Sequence, residues 1–274
     1  MTPDQLRQYL TFYRDLGIKT LYRRSVPTPG GQIQAGVKQQ PSESRAASQV
    51  EEKPLPKVSK PEPLRIQPPE SPLTLPILPA LEPENDTLDK IREDIGDCTR
   101  CRLHRGRSKI VFGSGNPEAK LVFVGEGPGA DEDAQGLPFV GRAGQLLTQM
   151  IDNTSAKEGM PVRRPHTYIC NVVKCRPPDN RTPLPDEMEI CGQFLFRQLM
   201  VIKPRAICAL GSTAAKALLG TKEGVTRLRG KWHKWRDIPV MVTYHPSYLL
   251  RPYNQSAKRE AWEDLKKVLH YVYD

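Results

Sequence analysis

The feature that most constrains this chain is a set of four short, largely apolar runs in its second half: Leu121–Val124, Tyr168–Val173, Ala206–Leu210 and Val240–Thr243. Helical patterns flank and separate them at Asp86–Asp97, Arg142–Asp152, Asp186–Val201, Ser212–Leu219 and Ser256–Val272. A strand that is apolar on both faces must be covered on both faces. The alternation therefore predicts an α/β fold, a three-layer α/β/α sandwich around a central, mainly parallel four-stranded sheet. In such sheets ligands bind beyond the carboxyl ends of the strands. Three polar segments fall there: Gly125–Gly129 after the first run, Asn171–Cys175 at the end of the second, and Tyr244–Ser247 after the fourth. Their convergence on one edge is the pattern of an active site.

Proline divides the chain into parts. About half of its 27 prolines precede residue 86, in a stretch poor in aromatics and mixed in charge. Residues 25–85 are read as a Pro-rich disordered linker, because such a segment buries too little apolar surface to offset its ordering entropy. Ahead of it, Thr2-Pro3-Asp4-Gln5 has the form of a capping box. Leu6, Tyr9, Leu10, Tyr13 and Leu16 follow at helical spacing, so residues 1–24 are read as a short amphipathic helix. Two roles stand open for it: a docking element for a protein partner, or a helix that packs back on the domain at 86–274.

The formal net charge is +10 and the isoelectric point is near 9.3, which favours a polyanionic partner, nucleic acid or an acidic membrane surface. No apolar run approaches the roughly 18 residues that span a bilayer, and the N-terminus lacks a signal-peptide core. A cytoplasmic, nucleoid-associated monomer is the expectation, with no membrane partner.

Six cysteines in such a chain point to metal ligation rather than disulfides. Cys98-x-x-Cys101, Cys175 and Cys191, the last two with fifteen residues between them, supply four thiolates suited to zinc or to an iron–sulfur cluster. Cys170 and Cys208 lie within the apolar runs and read as buried, inert thiols.

The loop Gly125-Glu126-Gly127-Pro128-Gly129 lacks the G-x-G-x-x-G spacing of a dinucleotide fingerprint, and no Gly-Lys-Ser/Thr follows it. It leads through an acidic stretch to Pro138-Phe139, where the phenylalanine is either a stacking face for a base or a core residue. His245-Pro246-Ser247 is followed by Tyr248-Leu249-Leu250-Arg251. That segment reads either as an apolar wedge beside a phosphate-binding cation or as a helical turn packing inward. Arg227, Arg229, Lys231 and Lys234, interleaved with Trp232 and Trp235, are either a contact for a nucleic-acid backbone or a solvated hairpin with core tryptophans.

Taken together and in order, Gly125–Gly129, Gly136-Leu137-Pro138-Phe139-Val140-Gly141, Asn171 within Cys170–Pro178, and His245-Pro246-Ser247 resemble the signature of family 4 uracil-DNA glycosylases across about residues 88–272. The resemblance implies an enzyme that flips uracil from double- or single-stranded DNA and hydrolyses its N-glycosidic bond. It implies a 4Fe-4S cluster on Cys98, Cys101, Cys175 and Cys191, with a structural role. It also implies catalysis by Glu126, Asn171 and His245, and substrate binding by Gly127, Glu132, Phe139, Asn171 and Ser247. Phe139 would stack on the base, Asn171 would read its edge, and His245 would face its O2. Better-known relatives carry an aspartate where Gly127 stands, which leaves Glu126 the first choice for placing water and Asn171 the second. Glu132 would line the pocket and screen out the thymine methyl group. The segment Arg176–Pro183 holds no histidine, so turnover rather than covalent trapping is expected. Two other classes stay open: an iron–sulfur nucleic-acid-binding protein with weak or no catalysis, and a nucleotide-binding redox protein.

Overall fold

The computed structural model describes residues 85–251 and 253–274; the helix expected within 1–24 and, but for Asn85, the linker expected over 25–85 lie outside the described residues. Helices α1 (Leu88–Ile95), α2 (Ala130–Gln135), α3 (Arg142–Lys157), α4 (Pro185–Ile202), α5 (Ser212–Leu219), α6 (Val225–Leu228), α7 (Pro246–Leu249) and α8 (Gln255–Tyr273) surround one sheet. Its strands are β1 (Ser114–Gly115), β2 (Leu121–Gly125), β3 (Tyr168–Asn171), β4 (Ala206–Leu210), β5 (Trp232–Trp235) and β6 (Ile238–Thr243). Their order is β1-β3-β2-β4-β6-β5.

The four apolar runs form the parallel centre, with β2 between β3 and β4 and with β4 beside β6. The sheet has six strands rather than the four expected, because an antiparallel strand closes each edge: β1 against β3 and β5 against β6. Neither edge strand carries the apolar signature. One is two residues long, and the other, Trp-His-Lys-Trp, has one open face. The second run also stops being strand at Asn171, not Val173.

Alternation along each central strand builds two cores. Val122, Val124, Cys170, Ile207, Ala209, Val240 and Val242 face one side with residues of α1, α4 and α5. Leu121, Phe123, Ile169, Cys208, Leu210 and Met241 face the other with α3 and α8. That arrangement is the expected three-layer sandwich. Helix α1 starts at Thr87, whose hydroxyl accepts the Lys90 N–H at 3.1 Å. It is docked by Arg197 of α4, which grips Asp86 at 2.7 and 3.0 Å. Helix α2, which the acidic composition of its segment did not announce, is closed at both ends by glycine.

Several ambiguities resolve here. Leu249 is buried against the second core and Leu250 packs partly on it, so the segment after His245 turns inward at Leu249 rather than offering it as a wedge. Trp235 is buried, while Trp232 stays exposed against Tyr271 with ring centroids 4.6 Å apart. Arg229 is committed to the interior: its guanidinium grips both oxygens of Asp264 at 2.7 and 3.0 Å. Asp264, on α8 and 1 % exposed, also accepts from the Thr243 hydroxyl at 2.8 Å. This network fastens the carboxyl end of β6, two residues before His245. Truncating one member of a buried, paired charge typically costs about 3–5 kcal/mol. Asp264→Ala is expected to lose about 3 kcal/mol in urea unfolding; a loss below about 1 kcal/mol would show that the network does not hold β6.

Candidate active site

The expected base-reading residues meet at the carboxyl edge of the parallel strands. The register pairs Gly125 with Asn171. The ladder then continues past both strands, as Val172 donates to the Gly125 carbonyl at 3.0 Å and Val173 to that of Glu126 at 3.2 Å. Gly125 has no side chain because none fits: a Cβ there would collide with the Asn171 Oδ1 and stand 2.6 Å from the Phe139 ring. Phe139 lies in turn against His245, with ring centroids 5.6 Å apart and planes tilted by 37°. Phe139, Asn171 and His245 thus gather around one glycine.

Asn171 is almost fully buried, and its Oδ1 has no hydrogen-bond partner within the protein. Its main-chain carbonyl is held at 2.8 Å by the amine of Lys174, itself buried, which also donates to Gln198 Oε1 at 2.6 Å. A buried polar atom left without a partner costs about 1–3 kcal/mol. Phe139 adds strain, since its φ of 53° is left-handed and disfavoured by about 1–2 kcal/mol in a residue with a Cβ. Gly144 makes this turn possible, because a Cβ there would run into the Phe139 backbone.

His245 Nδ1 accepts the Ser247 N–H at 3.2 Å and lies 2.8 Å from the Ser247 hydroxyl. With Nδ1 as acceptor, the neutral ring carries its proton on Nε2. Burial pushes the imidazole down to about 4, against a smaller opposing pull from the negative charge of Glu132. Glu132 braces the loop: its carboxylate accepts the N–H of Gly129 at 3.1 Å and those of Val140 and Gly141 at 2.9 Å. It thereby joins the two motifs flanking α2. Glu126 accepts a hydrogen bond from Thr213 at the start of α5. A Cβ on Gly127 would sit 2.8 Å from the Val173 Cγ2, so a side chain at that position requires the valine to shift.

The second centre lies toward α1 and α4. Cys98, Cys101, Cys175 and Cys191 line one pocket with Ile95, Ile110 and Phe194. The Lys174 main-chain N–H donates to the Cys191 sulfur at 3.2 Å, and the Arg107 guanidinium donates to that of Cys175 at 3.4 Å. Burial raises the thiols of Cys101 and Cys175, and that of Cys191 to about 12. Among the described residues no three His, Cys, Asp or Glu side chains gather as a ligand set for a single metal ion. Cys170 and Cys208 are buried within β3 and β4, and burial raises both thiols.

Residues 112–266 match the family model of the uracil DNA glycosylase superfamily. The chain belongs to that superfamily, in its type-4 branch. It is 44% identical over 189 residues to the type-4 uracil-DNA glycosylase of Thermotoga maritima, covering 68% of this chain and 95% of that one. It is 42% identical over 191 residues to the type-4 enzyme of Sulfurisphaera tokodaii, covering 67% and 84%. For that of Archaeoglobus fulgidus the identity is 41% over 191 residues, covering 67% and 92%. Among the described residues no helix is long and apolar enough to cross a membrane.

Against this uracil-DNA glycosylase framework, three residues with roles at the site escaped the sequence reading. Lys174 stands in a largely apolar segment, an anomaly that was a usable signal. Thr213 resembled an ordinary helix-start residue, and Arg164, whose guanidinium reaches the Phe139 backbone, resembled a solvated charge beside Arg163. The His245 geometry has a direct check. A proton taken up by the unfolded chain near 6.5 but by the folded one only near 4 makes stability fall as pH drops through that window. Nitrogen NMR of the ring is expected to show the neutral Nε2–H form at pH 5.5; a titration midpoint between 6 and 7 would overturn the assignment.

Proposed function

We propose that this chain is a DNA-repair glycosylase that takes uracil out of DNA and hydrolyses its bond to the sugar, leaving an abasic site. The observation that carries this reading is the buried Asn171 amide whose Oδ1 has no partner within the protein. Uracil supplies what it lacks: N3–H donates to Oδ1 while the amide Nδ2–H donates to O4. Cytosine presents an acceptor at N3 and a donor at its exocyclic amine, so both contacts invert. A site built on such bonds rejects the wrong partner by roughly 10⁴-fold, because its buried groups stay unpaired.

Extruding the base costs a few kcal/mol, and least from a mismatch or a single strand. The Phe139 ring receives it, and the protein's formal charge of +10 favours approach to phosphate. As the glycosidic bond lengthens, negative charge builds on the uracil O2. The Nε2–H of neutral His245 donates there, and that bond strengthens only as charge develops, which is how binding becomes catalysis. Glu126 is the carboxylate proposed to orient water toward the sugar. Thr213 occupies its Oε2, leaving Oε1 to face a water. With a glycine rather than a carboxylate at position 127, this role falls to its neighbour. In the structure Glu132 works as a brace, and pocket lining against a thymine methyl is a second role assigned to it here.

The four cysteines are assigned to a 4Fe-4S cluster. Sulfurs converging on one dry pocket, with N–H donors aimed at two of them, fit such a group. Bound there, the cluster ties the segment after α1 to α4 and to the end of β3.

The excision reading is tested with labelled oligonucleotides carrying uracil opposite guanine, opposite adenine, or in a single strand, followed by alkali. Strand breaks are expected, slowed about 10²–10³-fold by His245→Ala; intact strands on all three substrates would sink it, leaving a binding protein. The cluster has its own readout. Purified protein should be brown and bleach in Cys175→Ser, whereas colourless protein holding zinc would refute the iron–sulfur assignment.

A further inference from the structure

Arg164 opens the short 3₁₀ turn Arg164–His166 that leads into β3. Its guanidinium extends to the far side of the Phe139 turn. Nη1 donates to the Phe139 carbonyl at 2.7 Å, to the Thr148 hydroxyl at 2.7 Å and to the Gly144 carbonyl at 3.3 Å. Nη2 donates to the Pro138 carbonyl at 2.8 Å. Asp152 on α3 reaches Arg164 through its main-chain N–H, at 2.9 Å, so the root of the side chain is fixed as well as its tip. We infer that Arg164 is a positioning residue for the base-stacking face, clamping the two carbonyls that flank the left-handed Phe139 and so fixing how its ring receives uracil.

The geometry supports this in three ways. First, Phe139 needs an outside hold, since its own φ of 53° disfavours the turn that presents the ring. Second, the ring and backbone are confined by Gly125 on one side and Gly144 on the other, where a Cβ would overlap them. What remains to be set is the orientation of the peptide planes, and the carbonyls held by Arg164 define it. Third, a planar guanidinium can bind two successive carbonyls and a hydroxyl at once, whereas a lysine amine is a single point on a flexible stem. All four bonds end on the Pro138–Gly144 segment or on Thr148. Arg164 therefore acts on chemistry through Phe139.

The inference rests on Phe139 being the stacking face, and a double-mutant cycle tests the two separately. Single-turnover excision and urea midpoints are measured for the parent, Arg164→Met, Phe139→Leu and the double variant. Arg164→Met is expected to slow excision about 10- to 100-fold, with Arg164→Lys restoring only part of it. In the Phe139→Leu background the same change should cost less than about threefold, although both backgrounds lose similar stability. Equal slowing in both backgrounds would overturn the positioning role, as would a folded Arg164→Met that excises like the parent while Phe139→Leu is slow. If Phe139→Leu alone excises normally, it is the stacking reading that fails. Should Arg164→Met not fold, Thr148→Val, which removes the side-chain partner of the guanidinium, takes its place in the cycle under the same criteria.

Discussion

The parallel ladder between β2 and β3 is the constraint from which the site follows. It sets Gly125 opposite Asn171 and continues into the loops, so the glycine motif and the segment after β3 leave the sheet as a bonded pair. A parallel pair brings two carboxyl ends to the same edge, and β4 and β6 deliver Thr213 and His245 to that edge in the same way. The missing side chain at Gly125 then lets the Asn171 amide and the Phe139 ring approach each other across bare backbone. Even alanine at this position would occupy the space that the two side chains share.

Around this edge the usual rules of a folded interior are broken in a cluster. Asn171 Oδ1 is buried without a partner, Phe139 holds a left-handed backbone, and the Lys174 amine is buried on two neutral oxygens. Departures of this kind persist only where surrounding structure over-determines them, and they concentrate at functional sites. The surroundings here are strong: the central strands are covered on both faces, and the Arg229–Asp264–Thr243 network secures the strand leading to His245.

Much of this architecture was legible from residue order. The four parallel strands announced themselves because strands buried on both faces must be apolar throughout, and the segments at their ends could be placed on one edge before any coordinates. The edge strands were hidden for the opposite reason: Ser114–Gly115 is too short for a period, and Trp232–Trp235 alternates with lysine and histidine on a half-open surface. Charged residues turned inward were the hardest to read. Arg164 and Arg229 stand among charged neighbours, as solvent-facing positions do, and only their distant partners, supplied by the fold, make burial tolerable. Leu249 was ambiguous because an exposed wedge and a core contact call for the same side chain. The cysteines carried their own spacing, and the pocket they line brings together three separate segments.

Lys174 joins two parts of the molecule that would otherwise be strangers. Its main-chain nitrogen serves the sulfur of Cys191, and its amine serves the carbonyl of Asn171. A shift of the main chain at Lys174 would be felt at the Cys191 sulfur and at the Asn171 carbonyl together, so the thiol pocket and the end of β3 are fastened through one residue.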